Sequence, residues 1–204
     1  MKEFLSKVGF GALMFMLFHA ASANAEIQPP EVGATAKFEC SGPYGVSNTY
    51  TVSEVSGGMV RVEEDSDGTA RWTEKPVNAI GLNLYNRRQR NDGKGVRKQE
   101  LDEDLLAQYA RLEPGSAFKF NVRERHDSAK WQWSYKVKVG QPETISHEVL
   151  GEIEVISVSE SRKVWIVSYS SEMTALLYPK GGMPIAWTYK DRKGTQECKL
   201  VGVN

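Results

Sequence analysis

The chain has 204 residues, with 26 Lys and Arg against 26 Asp and Glu, three His and two Cys. That length sets one domain or two small ones. The zero formal charge argues against a dedicated nucleic-acid binder, and 25% charged with 10% aromatic residues argues against wholesale disorder, collagen or a coiled coil.

Taken in chain order, the first signal is a leader. Lys2 and Lys7 precede the apolar run Val8 to Phe18, and Ala23-Asn24-Ala25 places small residues where a signal peptidase cuts. Residues 1–25 read as a secretory signal peptide, and 26–204 as a single exported β-domain in the periplasm or outside the cell. The apolar run is shorter than the roughly 20 residues of a bilayer span. No second run follows, so no membrane span is expected after cleavage. Losing Lys2, Lys7 and Glu3 leaves 24 cationic and 25 anionic residues, a net charge of −1. The aromatics that remain are five Trp, eight Tyr and three Phe, rings whose polar handles suit a core boundary or a binding face.

An exported chain folds in an oxidising compartment, where two cysteines pair. Cys40 shares the apolar side of Ala36-Lys37-Phe38-Glu39-Cys40, and Cys198 that of Glu197-Cys198-Lys199-Leu200. The expected bridge is internal and ties the first strand to the last. A redox-active pair would need the Cys-x-x-Cys spacing that is missing here, and Cys40 lies too far past the apolar run to carry a lipid.

Alternation of period two dominates the rest, as in Phe118, Phe120 and Val122, or Ile185, Trp187 and Tyr189, with polar residues between. Further strands are expected at Asn48 to Val55, Gly58 to Glu63, Thr69 to Thr73, Ile80 to Tyr85, Lys130 to Val139, Glu152 to Ser159, Val164 to Ser170 and Met173 to Tyr178. Val164 to Tyr169 is apolar on both faces, as a central strand would be. Gly- and Asp-rich turns such as Asp65-Ser66-Asp67-Gly68 separate these segments. One helix interrupts them, with Leu101, Leu105, Tyr109 and Leu112 on one stripe, an acidic first turn and a Glu113-Pro114-Gly115 stop. The segment Asn86 to Gln99 is the most loop-like. The fold class is mostly β: an antiparallel β-sandwich or barrel of about ten to twelve strands with one short amphipathic helix.

Candidate chemistry is sparse. Glu63, Asp65, Asp67 and Glu74 match the ligand spacing of a calcium loop around Gly68, but flanking strands and Pro76 favour a solvated hairpin turn over a metal site. Arg87, Arg88, Arg90, Lys94, Arg97 and Lys98 form a basic run that could grip an anionic polymer, a lipid head group or an acidic partner; the bland reading is a solvated loop beside the acidic helix start. Trp131, Trp133 and Tyr135 share one strand face opposite lysines, so that face is expected to be core rather than a platform for sugar rings. His126 and His147 each adjoin a carboxylate in sequence, but neighbours on a strand point to opposite faces. No metal, phosphate-loop, dinucleotide or serine-hydrolase motif is present, and no cofactor is expected.

The turns of the closing third carry a resemblance. Tyr135-Lys136-Val137-Lys138-Val139-Gly140, Leu150-Gly151-Glu152-Ile153-Glu154-Val155 and Tyr178-Pro179-Lys180-Gly181-Gly182-Met183-Pro184-Ile185 resemble exported, β-rich bacterial envelope proteins of uncharacterised function. The resemblance implies a bacterial envelope setting and an antiparallel β fold, and no activity. Three functional expectations follow. The first is a non-enzymatic exported protein that binds an envelope polymer, lipid or protein partner, with no nucleic acid. The second is a polysaccharide hydrolase or lyase using Glu124 or Asp127 near Trp131. The third is a carrier of an apolar ligand inside a barrel, which needs an apolar cavity of roughly several hundred Å³.

Overall fold

The computed structural model describes residues 28–90, 93–127, 129–164 and 168–204. The signal peptide expected at 1–25 lies outside them. Twelve antiparallel strands each pair with their sequence neighbours, and the last closes on the first to complete a barrel. They are β1 (Thr35–Ser41), β2 (Ser47–Ser56), β3 (Met59–Ser66), β4 (Thr69–Pro76), β5 (Arg87–Gln89), β6 (Val96–Glu100), β7 (Ala117–His126), β8 (Ala129–His147), β9 (Gly151–Val164), β10 (Tyr169–Tyr178), β11 (Met183–Asp191) and β12 (Gly194–Val203). The helix α1 (Glu103–Arg111) stands between β6 and β7. Closure removes the free sheet edges that would otherwise invite pairing with another chain.

The closing seam carries the disulfide. Cys40 and Cys198 are Cα partners of β1 and β12, and their sulfurs are bonded across 158 residues of chain. A crosslink over so long a loop contributes up to about 5 kcal/mol by restricting the unfolded chain.

Alternation then divides inside from outside. Outward positions such as Lys119, Asn121, Arg123, Lys136 and Lys138 are exposed, while Val122, Tyr135, Val137, Val158 and Leu200 point inward and are buried. At the end of the barrel that carries both chain termini the interior is apolar. A twelve-stranded wall encloses more space than its own side chains fill. Here Val77–Tyr85 fills it, starting as a single 3-10 turn at Val77–Ala79. Ala79, Ile80, Leu82 and Leu84 are each at most 2% exposed. Leu105, Tyr109 and Leu112 of the helix close over them. Asp102 caps this helix by accepting from the Leu105 amide at 2.8 Å.

The plug corrects the strand expected at Ile80 to Tyr85. A segment surrounded by protein on every side shows a continuous apolar run that reads equally as a buried strand. Its backbone polar groups cannot go unpaired, and inward-pointing polar side chains take them up. Glu160 accepts from the Asn83 amide at 2.6 Å, Gln99 Oε1 accepts from the Tyr85 amide at 3.2 Å, and Lys75 Nζ donates to the Leu82 carbonyl. Gly81, at φ +79°, lies so close to the Pro184 ring that a Cβ there would come within 2.8 Å of it.

Two further expectations are corrected. The loop-like stretch Asn86 to Gln99 contains β5 and β6, short strands that pair with each other and, over two or three residues each, with β4 and β7. Tyr169 pairs with Val164, so the single central strand expected from Val164 to Ser170 is the end of β9 and the start of β10; residues 165–167 lie outside the described residues.

Candidate anion-binding cavity at the barrel mouth

At the opposite end, where the β1–β2, β3–β4, β5–β6 and β7–β8 connections gather, the inward parity of the strands turns from apolar to charged. Glu64 follows Val60 and Val62 on β3, Arg71 and Lys75 flank Thr73 on β4, and Arg162 follows Val158 and Glu160 on β9. Together with Arg88 on β5 and Arg97 on β6 they line a cavity of about 340 Å³. Tyr44, Tyr50, Trp187 and Tyr189 supply aromatic wall, and Arg90 stands at the same opening.

Charge is concentrated but not balanced there. Six cationic side chains line the cavity, Arg71, Lys75, Arg88, Arg90, Arg97 and Arg162, against the single carboxylate of Glu64. Further carboxylates stand just outside the lining: Glu160 under the plug, Glu124 at 4.0 Å from Arg97, Asp127 at 2.7 Å from Arg90, and Asp191, which accepts from the Tyr44 hydroxyl at 2.6 Å. Glu64 receives Arg71 at 2.7 Å and Arg88 at 3.6 Å. Burial works to raise the Glu64 carboxyl, but Arg88, Arg71 and Lys75 outweigh it and hold the group ionised below the usual carboxylate range. Burial brings Lys75 down to about 8 despite Glu64 and Glu160. Burial pushes Glu160 up, against the pull of its Tyr109 hydrogen bond.

The polar atoms fall into two groups. Glu160, Gln99 and Lys75 are held by the plug. Others on the cavity wall have no protein partner: Asn48 Oδ1, Thr73 Oγ1, Asn83 Nδ2, Arg88 Nε and Trp187 Nε1 are buried and unpaired. Five of the eight such atoms among the described residues belong to this one wall. Leaving a buried donor or acceptor unmade costs about 1–3 kcal/mol each, so the polar cost of the fold is concentrated in the residues around this cavity.

The basic run of the sequence is thereby divided by the pleat. Arg88 and Arg97 are cross-strand partners and face the cavity, whereas Arg87 and Lys98 form the next pair and point outward. Lys94 is exposed in the β5–β6 turn. The calcium-like segment is the β3–β4 hairpin: Asp67, at φ +49°, accepts from Ser47 and from the Val46 amide, Asp65 accepts from the Gly68 amide, Glu74 accepts from Asn86, and Glu63 points out to solvent. Sequence reasoning missed Glu64, Arg71, Lys75 and Arg162. The available signal was a charge on the apolar parity of an otherwise alternating strand.

A second depression of about 530 Å³ adjoins the cavity and shares Arg97 with it. Trp131, Trp133, Tyr169, His126 and Arg192 are among its walls. The aromatic face expected in the core is thus divided: Tyr135 is 1% exposed, but Trp131 and Trp133 are half-buried at the rim, because β8 runs past the packed interior to the open mouth. Arg162 lies over the Trp133 ring at 4.6 Å and Tyr169 meets it edge-on at 6.0 Å. Glu124 is the only acidic residue of this depression among the described residues, and it accepts from Gln99 Nε2 at 3.2 Å. Asp127 turns away to Arg90. The paired carboxylates of a glycoside hydrolase are therefore not assembled here. His147 sits at the far end of β8, accepting from the Val149 amide.

No family model matches this sequence, and no curated protein is similar to it. Two solved structures are similar in fold. The hypothetical lipoprotein YmcC from Escherichia coli K12 shares 10% identity, with a TM-score of 0.49 over 86% of this chain and 89% of its own. An exported protein of YmcC-like fold from Bacteroides fragilis shares 11% identity, with a TM-score of 0.38 over 88% of this chain and 99% of its own. By name the first is a lipoprotein and the second an exported protein, and neither name states a function.

Proposed function

We propose that this protein is an exported, non-enzymatic binding barrel whose mouth takes an oxyanion-bearing envelope component, a carboxylate or a phosphate. The observation that carries the reading is the cavity itself, lined by six Arg and Lys side chains against one carboxylate. Arg is suited to such a ligand because its planar fork meets an oxyanion with two hydrogen bonds. The leader-like first 25 residues and the disulfide support a location outside the cytoplasm. An apolar guest fits poorly, since the plug occupies the apolar part of the lumen and the remaining space is charged.

The test is a thermal-shift and calorimetric series on the purified exported protein with inorganic phosphate, galacturonate and neutral glucose at matched ionic strength. Phosphate and galacturonate should stabilise it, by about 2.7 kcal/mol at a hundred times their dissociation constant, and glucose should not. If no anion shifts the melting temperature beyond the glucose control, the reading fails.

A further inference from the structure

Resting on that reading, we infer that the ligand is an acidic oligosaccharide, its terminal acid seated in the cavity and its following rings laid over the rim at Trp131. Three depressions are neighbours through shared side chains. The cavity and the aromatic depression share Arg97, and the aromatic depression and a third, of about 350 Å³ on the outer wall, share Trp131. Arg123, Arg125, Lys130 and Gln132 line this outer groove. Cations therefore continue on both sides of one indole: Arg97 and Arg192 inside the rim, the β7 and β8 cations outside it. Arg125 already holds Glu100 at 2.6 Å, so the groove is not uniformly cationic, but Arg123 and Lys130 point outward into solvent beside it.

Repeated cations with interposed ring faces match a chain in which acids and pyranose rings repeat. The C–H face of a sugar lies on an indole while its hydroxyls and carboxylates reach polar neighbours. Other polyanions fit less well. A lipid would have to bring acyl chains into a lumen already filled by Ile80, Leu82 and Leu84. An extended peptide adds to a free sheet edge, and every strand here is paired on both sides.

Calorimetry with mono-, tri- and hexagalacturonate, maltohexaose and inorganic polyphosphate tests this, with tryptophan fluorescence as a second readout. The monomer should bind like phosphate, and the hexamer at least about tenfold more tightly, which exceeds the statistical gain of six equivalent units. Maltohexaose should not bind. Trp131→Ala should bring the hexamer back to the monomer's affinity with the monomer unchanged, and Trp131→Phe should restore most of the difference, which separates a lost ring contact from a misfolded rim. Equal affinity for monomer and hexamer, or polyphosphate binding as tightly as the hexamer irrespective of Trp131, overturns this inference and leaves the cavity reading standing. Absence of binding by phosphate, galacturonate and the oligomers alike overturns the cavity reading and this inference with it.

Discussion

The two ends of the barrel are built from the same strands and differ in what the inward parity carries. At the plugged end Val155, Val158, Leu177 and Ile185 share one buried apolar cluster with Ile80, Leu82 and Leu84. At the mouth the same parity delivers Glu64, Arg71, Lys75, Arg88 and Arg162, at a cost in desolvation that their mutual pairing offsets only in part. The contrast teaches that one sheet can spend one half on folding and reserve the other for recognition. Between the halves lies a narrow polar layer, Glu160 and Gln99, which belongs to folding because it satisfies the plug's backbone, while Lys75 spans the two by donating to the Leu82 carbonyl and lining the cavity.

Substitutions can break this division or sharpen it. The largest expected effect is on the seam: Cys40→Ala with Cys198→Ala should lower the unfolding free energy by about 2–5 kcal/mol, read from urea midpoints. Next, Ile185→Ala at the plugged end should cost about 2–5 kcal/mol and leave phosphate affinity unchanged; an equal fall in affinity would show that the two halves are not separable. In the layer between, Glu160→Gln keeps an acceptor for the Tyr109 hydroxyl but turns a donor toward the Asn83 amide, and should cost about 1–3 kcal/mol; an unchanged midpoint would remove that layer from the folding half.

A pH titration separates the halves at one residue. Lys75 titrates at about 8 in the fold against 10.5 unfolded, and Glu64, Arg88, Glu160 and Arg162 all face it, beside the Leu82 carbonyl. Between pH 8 and 10 the unfolded chain holds this proton and the folded chain has released it, so Lys75 makes stability rise with pH across that window, while contributing no pH dependence below it. Above pH 10 the buried hydroxyls of Tyr50 and Tyr85, raised by burial, work in the opposite sense. Anion affinity should fall over the same window as the cavity loses this charge. Lys75→Met should abolish both the slope in stability and the slope in affinity; their persistence would assign them to another group. The smallest effect on stability is expected at the mouth. Arg97→Met should change the unfolding free energy by no more than about 1 kcal/mol, since this cation is half exposed and no nearer than 4.0 Å to Glu124, while phosphate affinity falls about tenfold.

The helix and most strands were legible in the sequence because each announces itself locally. Leu105, Tyr109 and Leu112 lie on one helical stripe behind the Asp102 cap, and Phe118 to Val122 or Ile185 to Tyr189 alternate cleanly. The cysteines were legible because both lie on the apolar parity of terminal strands. Ile80 to Tyr85 was not, because a segment buried all round carries no period that separates strand from plug. The cavity was half legible: Arg88 and Arg97 stood out within a basic run, but what makes them a site is their pairing across β5 and β6 and their meeting with Arg162, which lies 65 or more positions further along the chain.

The sequence by itself determined the leader-like start, the paired cysteines, the antiparallel β class and the helix, because export signals, oxidation and side-chain periodicity are properties of neighbouring residues. Tertiary structure alone decided that the sheet closes as a barrel, that Val77–Tyr85 fills it, and that cations from β4, β5, β6 and β9 converge on one cavity. The physical reason is range. Closure and convergence depend on register and on the volume left inside the wall, and both are set by contacts between residues far apart in the chain.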